Sequence, residues 1–218
     1  HLKKVGAFYG WHADYNAAGQ LVFSFLNPVK LRAAGNLTGV KILIDAGHGG
    51  RDPGAEGANK ITFEAERNLS VANKLKAQLE ALGATVVMTR TDNYAVSADE
   101  RCSILRREAP DLCISIHHDA NNKSTAHGGG IYYFDAFSEA AAGAVMRHTE
   151  AAQFYRRHVY GFHYFYMCRV TACPVVLTEN GFITNPNDFA GIKSDAVNEQ
   201  KAAAMVRGVV EYFNSIGL

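Results

Sequence analysis

The sequence predicts an α/β fold, with a mostly parallel twisted sheet covered by helices on both faces and a short N-terminal β appendage. Two observations predict it. Short apolar runs of strand length alternate along the chain with longer segments in which apolar residues recur at helical spacing. Glycines and helix-capping sequences stand at the expected ends of these segments. Strands that alternate with helices build βαβ units, and such units form parallel sheets with helices on both faces.

The size and charge of the chain restrict what it can be. Its 218 residues, of which 48% are apolar, suffice for one substantial core and are too few for two ordinary enzyme domains. The 22 lysines and arginines nearly balance the 21 aspartates and glutamates, so charge indicates neither nucleic acid nor an anionic membrane as a partner. Because no apolar run is long enough to cross a bilayer and no secretory segment opens the sequence, we expect no membrane span and no signal peptide in this chain.

Residues 1–38 are expected to form the β appendage, and residues 39–218 the main domain. An alternating stretch at 21–25 follows turn-like residues at 16–19, which predicts a β-hairpin or the tail of a preceding β domain. The pattern then changes to the apolar run 40–44, which is closed by glycines and is typical of a buried parallel strand.

The other elements of the main domain are predicted from local signals. Residues 66–82 carry apolar side chains at helical spacing and end at Gly83, a residue that favours helix C-termini. Ser97 and Glu100 have the spacing of a capping box and begin a helix that must end before Pro110. Further strands are predicted at 85–89, 112–116, 131–134 and 174–177, and further helices at 138–152 and 198–213.

The four cysteines give no sign of a disulfide framework. Cys102, Cys113, Cys168 and Cys173 include no CxxC pair and lie among apolar or helical neighbours. We expect free, mostly buried thiols. The alternative is a bridge between Cys168 and Cys173, which an oxidising compartment would favour.

Several aromatic and histidine residues have no assigned role. The aromatic side chains of residues 153–169 are expected in the core rather than on a sugar-binding face. Four further histidines are expected on the surface or in packing: His127, His148, His158 and His163.

The residues that follow the strands are candidates for a site, because ligands of open α/β sheets bind beyond the carboxyl ends of the strands. His48 follows the first strand of the predicted sheet, His117 the third, and Glu179 the strand that begins at Pro174. Glu64 lies just before the helix that follows the glycine-rich loop. We expect these side chains to converge on one edge of the sheet.

This set of residue types indicates metal-assisted hydrolysis. Two histidines and a carboxylate that leave one position open are typical ligands of a catalytic zinc ion. Zinc lowers the pKa of a bound water and polarises the scissile carbonyl. A carboxylate that is not a ligand can take the proton of the water and deliver it to the leaving amine. His48, Glu64, His117 and Glu179 supply these four groups.

Each residue also has an ordinary structural interpretation. The histidines could fill a tight turn or be hydrogen-bonded core residues. Glu64 could merely favour a helix N-terminus, with Glu66 as a competing ligand. Glu179 could be the buried partner of an arginine such as Arg101 or Arg90.

Residues 40–213, about four fifths of the chain, resemble the zinc N-acetylmuramoyl-L-alanine amidases of the Amidase_3 family. The matching motifs stand in family order: KILIDAGHGGRDPGAEG, EAERNL, TVVMTRTDNY, ADERCSILRREAPDLCISIHHDA and PVVLTENGFITNPND. Several ordered motifs are far more specific than any one of them.

The resemblance implies a role for each candidate residue. His48, Glu64 and His117 correspond to the ligands of one zinc ion, and Glu179 to the catalytic glutamate. The family pattern places an asparagine-leucine pair four and five positions after the ligand, which selects Glu64 over Glu66. The implied reaction is hydrolysis of the amide bond between N-acetylmuramic acid and L-alanine in peptidoglycan.

The resemblance also implies where the chain acts and with what. The family acts outside the cytoplasmic membrane, so an extracellular or cell-envelope location is expected. Peptidoglycan is the expected partner, with no nucleic acid, and we expect a monomer.

The chain departs from the family pattern beside two of the candidates. His118 and Asp119 stand where small or amide residues are common, and Asn180 replaces a usually apolar residue next to Glu179. His118 and Asn180 are therefore predicted to bind substrate, with contact to a water molecule near the metal as the alternative for His118.

Two other functions use the same fold. A zinc peptidase would cut within the stem peptide and leave new diaminopimelate or D-alanine termini, whereas the amidase leaves new L-alanine amino termini. A non-catalytic wall-binding module would show no turnover with added zinc, and the presence of Glu179 argues against it.

Overall fold

The structure is a computed structural model that describes residues 8–123, 125–161 and 165–216. Its strands are β1 (Trp11–Tyr15), β2 (Leu21–Phe25), β3 (Lys41–Ala46), β4 (Thr85–Met88), β5 (Leu112–Asp119), β6 (Gly129–Tyr132), β7 (Tyr155–Tyr160) and β8 (Val175–Phe182). Its α-helices are α1 (Glu64–Ala81), α2 (Ala98–Glu108), α3 (Glu139–Ala151), α4 (Pro186–Ile192) and α5 (Asp195–Ile216). Short 3-10 helices span Ala136–Ser138 and Met167–Arg169.

Six strands form the main sheet in the order β4-β3-β5-β8-β6-β7. Strands β4, β3, β5 and β8 run parallel to one another, whereas β6 is antiparallel to β8 and parallel to β7. The prediction of a mostly parallel sheet is therefore confirmed. Since β3, β5 and β8 end at the same edge, the residues at their carboxyl ends meet there.

Side chains of the sheet alternate between two apolar layers. Ile42 and Ile44 of β3 belong to the larger core, which α1, α3 and α5 cover. Leu43 points the other way and packs in a second cluster with Cys102 and Leu105 of α2. Helices thus cover both faces, as the sequence predicts, with more of the core on the side of α1, α3 and α5.

Local signals place two helix ends where they are predicted. The Ser97 hydroxyl accepts a hydrogen bond from the backbone N–H of Glu100 at 3.2 Å, which caps the start of α2. Gly83 follows α1 with a φ of 92°, in the left-handed region that glycine adopts without steric cost from a Cβ atom.

Two elements are absent from the sequence prediction. Strand β7 pairs with β6 at the edge of the sheet, and its residues YRRHVY show no clear alternation. Helix α4 has only seven residues, too few for a periodic pattern. Its start does carry a local signal, because Asn185 caps it and Pro186 occupies its first turn.

The predicted N-terminal hairpin is confirmed. Strands β1 and β2 pair antiparallel, from Trp11 opposite Phe25 to Tyr15 opposite Leu21. The hairpin is tied to the main domain through Thr171, which accepts from Trp11 N at 2.6 Å and donates its hydroxyl to Trp11 O at 2.7 Å.

The remaining expectations concern single side chains and the membrane. All four cysteines are buried and free, as expected. Of the aromatic segment, Tyr155 is buried in the core, Tyr166 is exposed, and residues 162–164, which include His163, lie outside the described residues. His148 pairs with Glu211. Among the helices of the described residues, none is both long and apolar enough to cross a membrane.

Candidate metal centre

Three potential metal ligands converge at the carboxyl edge of the sheet. His48 lies two residues beyond β3, Glu64 is the first residue of α1, and His117 lies in β5. Their donor atoms all lie within 4.8 Å of one another. Glu64 stands between the histidines, with Oε2 at 3.1 Å from His48 Nε2 and Oε1 at 2.9 Å from His117 Nδ1. The three residues predicted as ligands are thus brought together in an arrangement that could hold a metal ion.

The loop that carries His48 depends on close backbone approach. His48 has a φ of 60°, a left-handed conformation that costs a side-chain-bearing residue about 1–3 kcal/mol and that clusters at functional sites. A Cβ atom on Gly47 would overlap the imidazole ring of His117. A Cβ atom on Gly54 would lie 2.7 Å from both Glu64 Oε2 and His48 Cδ2. Side chains at these two positions would therefore displace the candidate ligands.

Two buried arginines hold the same loop by its carbonyl oxygens. Arg90 donates to Ala46 O at 2.8 Å and to Gly47 O at 2.9 Å. Arg101 donates to Ala46 O at 2.7 Å and to His48 O at 2.6 Å. Three successive carbonyls of the loop therefore accept from a guanidinium, whose planar set of donors suits such fixed geometry.

Asp45 compensates the charge of one of these arginines. Its carboxylate is buried and lies 2.5 Å from Arg101 Nη1, and it also accepts from Ser115 and Thr89. Burial disfavours the ionised form, but the Arg101 guanidinium, together with His117 and the hydroxyls of Ser115 and Thr89, keeps the pKa of Asp45 below its ordinary value. Arg101, one possible partner of Glu179 on sequence grounds, is thus paired with Asp45.

The electrostatics of the cluster favour an ionised carboxylate. Burial disfavours the charged form of Glu64, but hydrogen bonds from His117 and His48 hold the pKa of Glu64 well below its usual range. Burial also disfavours the imidazolium of His48, but hydrogen bonds to Glu64 and Asp52 raise the pKa of His48 to about 9. Asp52 Oδ2 lies 2.9 Å from His48 Nδ1, the nitrogen that faces away from Glu64. Carboxylates commonly orient metal-binding histidines in this way.

Of the two competing glutamates, only Glu64 lies with the histidines. Glu64 is buried, and its Oε1 also accepts from Asn68 Nδ2 and from the backbone N–H of His118, both at 3.2 Å. Glu66 is exposed and pairs with Arg67.

Glu179 lies beside the cluster. It occupies β8 opposite His117 of β5, and its side chain is 8% exposed. Together with His48, Glu64 and His117 it lines a cleft of about 760 Å³, a size typical of small-molecule sites. The fourth candidate therefore shares the cleft without belonging to the cluster of possible ligands.

The two residues predicted to bind substrate are both buried. His118 lines the cleft, and its Nδ1 is bonded to Asn68 Oδ1 at 2.8 Å. Asn180 donates from Nδ2 to His117 O at 3.0 Å, and its Oδ1 accepts from the Tyr155 hydroxyl at 2.6 Å. Substrate binding by these residues stays a prediction, and for Asn180 the contacts favour a structural role.

Sequence reasoning missed the residues that support the candidate ligands. The sequence carries only a weak signal for Asp52, which lies four positions after His48, the histidine of the glycine-rich loop. Asn68 belongs to the EAERNL motif, but the motif does not reveal that its side chain donates to Gly47 O and to Glu64 Oε1. Tyr155 and Lys201 contact Asn180 from positions 25 and 21 residues away in the chain, and no local pattern marks them.

Comparisons with known proteins identify what the chain is similar to. The family model Amidase_3, described as N-acetylmuramoyl-L-alanine amidase, matches residues 42–211. A relative from Staphylococcus epidermidis, named "Probable cell wall amidase LytH", is 32% identical over 207 residues, which is 94% of this chain. The chain spans 66% of the length of that relative.

Solved structures with the same fold are also N-acetylmuramoyl-L-alanine amidases. An N-acetylmuramoyl-L-alanine amidase from Clostridium difficile 630 superimposes with a TM-score of 0.78 at 30% identity, covering 81% of this chain and 97% of that one. The catalytic domain of CwlV, an N-acetylmuramoyl-L-alanine amidase from Bacillus (Paenibacillus) polymyxa var. colistinus, gives a TM-score of 0.77 at 27% identity, covering 80% and 98%.

Proposed function

Because the chain belongs to the N-acetylmuramoyl-L-alanine amidase family, we propose that it hydrolyses the amide bond between N-acetylmuramic acid and L-alanine in peptidoglycan. The observation that carries the proposal is the cluster of His48, Glu64 and His117, with Glu179 in the same cleft. All four residues fall within the part of the chain that the family model matches.

Zinc is the metal that this donor set fits. Two imidazoles and one carboxylate are a usual ligand set for catalytic zinc. Hydrogen bonds keep Glu64 ionised, as a ligand must be, and Asp52 is placed to orient His48. His48, Glu64 and His117 would therefore hold one zinc ion. When bound, zinc would supply Lewis acidity that acidifies a water molecule and polarises the scissile carbonyl.

Glu179 is proposed as the general base and general acid. Its carboxylate lies in the cleft but outside the ligand cluster, a position from which it could take a proton from the attacking water. The water oxygen bonds to the lactyl carbonyl carbon, and the C–N bond breaks. Glu179 then gives the proton to the departing amine nitrogen of L-alanine, which would otherwise leave as a strongly basic anion.

We also propose that the chain acts on the cell wall as a monomer. The relatives from staphylococci are named as cell wall amidases, which supports a place of action outside the cytoplasmic membrane. One chain supplies every residue of the proposed site, which supports action as a monomer.

A digest of purified peptidoglycan, read by mass spectrometry, tests the reaction. The zinc-loaded protein should release new L-alanine amino termini. Glu179→Gln should keep its zinc and lose about a hundredfold to ten-thousandfold in kcat, the usual contribution of a general acid-base group. New diaminopimelate or D-alanine termini would instead identify a peptidase, and wall binding without turnover a binding module.

A further inference from the structure

The strand that carries Glu179 is irregular at the residues after it. Strands β5 and β8 pair in register as far as His117 and Glu179, and then the pairing shifts so that Asp119 meets Phe182. Two steps along β5 thus match three along β8, which is the extra residue of a β-bulge. Gly181, with a φ of 109°, accommodates the bend. The regular main-chain hydrogen bonds are therefore interrupted next to the proposed catalytic carboxylate.

Asn180 bridges this interruption with its side chain. Its Nδ2 donates to His117 O at 3.0 Å and to Thr178 Oγ1 at 3.0 Å. Its Oδ1 accepts from the hydroxyl of Tyr155, in β7, at 2.6 Å. The residue is 1% exposed, so these bonds form away from bulk water, where an unmade bond is costly. The side-chain amide thus connects the backbone of His117, a candidate ligand, to Asn180, the residue that follows Glu179.

Lys201 fixes the main chain of the same residue. It lies on α5, is 5% exposed, and donates from Nζ to Asn180 O at 2.7 Å. Three separate elements, β5, β7 and α5, therefore converge on Asn180. A buried ammonium is unfavourable unless hydrogen bonds compensate for its lost hydration. The bond from Lys201 Nζ to Asn180 O is therefore costly to break, and it holds this carbonyl in place.

We propose that Asn180, supported by Tyr155 and Lys201, is a positioning residue that sets the place of the Glu179 carboxylate relative to His117. The proposal rests on the proposed role of Glu179 as base and acid. Neither Asn180 nor its two supporting residues need to touch substrate, because each acts through the geometry of the β8 bulge. A misplacement of about 1 Å at a reacting group can cost about a hundredfold in rate.

A double-mutant experiment tests the proposal. Asn180→Ala and Tyr155→Phe are each made in the otherwise unchanged chain and in Glu179→Gln. In the unchanged chain, Asn180→Ala should lower kcat about tenfold to a hundredfold and Tyr155→Phe about threefold to tenfold, with KM changed by less than about twofold. The zinc Kd, measured by chelator competition, should change by less than about threefold, because all three ligands remain. In Glu179→Gln the same two substitutions should change kcat by less than about twofold, since no carboxylate remains to be positioned.

Tyr212→Phe is the matched control. Tyr212 is a buried tyrosine of α5 whose hydroxyl has no hydrogen-bond partner among the described residues, so its loss should leave kcat unchanged. Equal losses of kcat in both backgrounds, or a rise in KM at constant kcat, would overturn the proposal. If Asn180→Ala fails to fold, Tyr155→Phe decides, because it removes only the hydroxyl. An unchanged kcat in Glu179→Gln would remove the proposed role of Glu179 as base and acid, and this proposal with it.

Discussion

Glu64 is held by more contacts than the two histidines provide. Its carboxylate also accepts from the backbone N–H groups of Ala55 and His118 and from the Asn68 amide, at 3.0 to 3.2 Å. These three donors keep the carboxylate in place independently of His48 and His117. A ligand fixed in advance loses little side-chain entropy on binding an ion, which favours tight and specific coordination.

Glu64→Ala should therefore abolish zinc binding, whereas Glu66→Ala should not. We expect the zinc Kd of Glu64→Ala to rise by more than about a hundredfold, the upper end of what loss of an outer partner costs. The Kd of Glu66→Ala should stay within about twofold, because that side chain is exposed and outside the cluster. Metal analysis after dialysis, with chelator competition for the Kd, measures both. Full zinc in Glu64→Ala together with loss in Glu66→Ala would show that the other carboxylate is the ligand.

At the scale of elements, helix α5 places the buried side chain of Lys201 next to the carboxyl end of β8, where it contacts Asn180 O. Burial lowers the pKa of Lys201 from its ordinary value of 10.5 to about 8, with Asp188 acting in the opposite direction. The folded chain thus holds this proton more weakly than the unfolded chain does. Between pH 8 and 10.5 the unfolded state binds the extra proton, so the free energy of unfolding must rise with pH in that window.

Lys201→Met should remove this pH dependence. Relative to the variant, the unchanged chain should gain about 2–3 kcal/mol of unfolding free energy as pH rises from about 8 to 10, by the linkage of 1.36 kcal/mol for each pKa unit. Well below pH 8 the difference between the two should be constant, because the lysine is protonated in both states. Urea unfolding of both proteins at a series of pH values, in the same zinc buffer, measures it. A difference that does not change across the window would contradict the lowered pKa.

At the scale of the whole molecule, the N-terminal segment divides into two parts. The β1–β2 pairing puts several large apolar side chains on one face of the hairpin, and most of them are exposed: Tyr15, Leu21, Phe23 and Phe25. By contrast Leu37 is fully buried in the main core, and its N–H donates to Leu82 O at 2.9 Å. We therefore propose that residues 27–38 belong with the main domain, so that the division lies nearer residue 26 than residue 38.

Two truncations distinguish these divisions. Removal of residues 1–26 should leave kcat and KM unchanged and lower the free energy of unfolding only slightly, because most side chains of β1 and β2 are exposed. Removal of residues 1–38 should cost at least about 2 kcal/mol more, since it also removes the buried side chain of Leu37. Denaturant unfolding and the peptidoglycan digest measure the two effects. A selective loss of activity in a stably folded 27–218 chain would mean that the hairpin helps to bind substrate.

Local sequence determined most of the secondary structure and indicated the two histidines of the cluster, whereas the choice of Glu64 over Glu66 depended on the family resemblance. Apolar spacing and caps such as Ser97 and Gly83 act within a few residues, so they can be read without knowing the fold. His48 and His117 could be proposed as neighbours because each follows or ends a predicted parallel strand, and such strands end at a common edge.

Tertiary structure alone decided what surrounds and supports that cluster. Strand β7 forms because β6 offers it an edge, and β6 itself runs against β8, neither of which a local pattern specifies. Arg90 and Arg101 hold a loop more than forty residues away in the chain, and Tyr155 and Lys201 meet at Asn180 only after three elements have packed. The physical reason is that these side chains satisfy buried carbonyls and amides, and which polar groups become buried is known only once the sheet and helices enclose them.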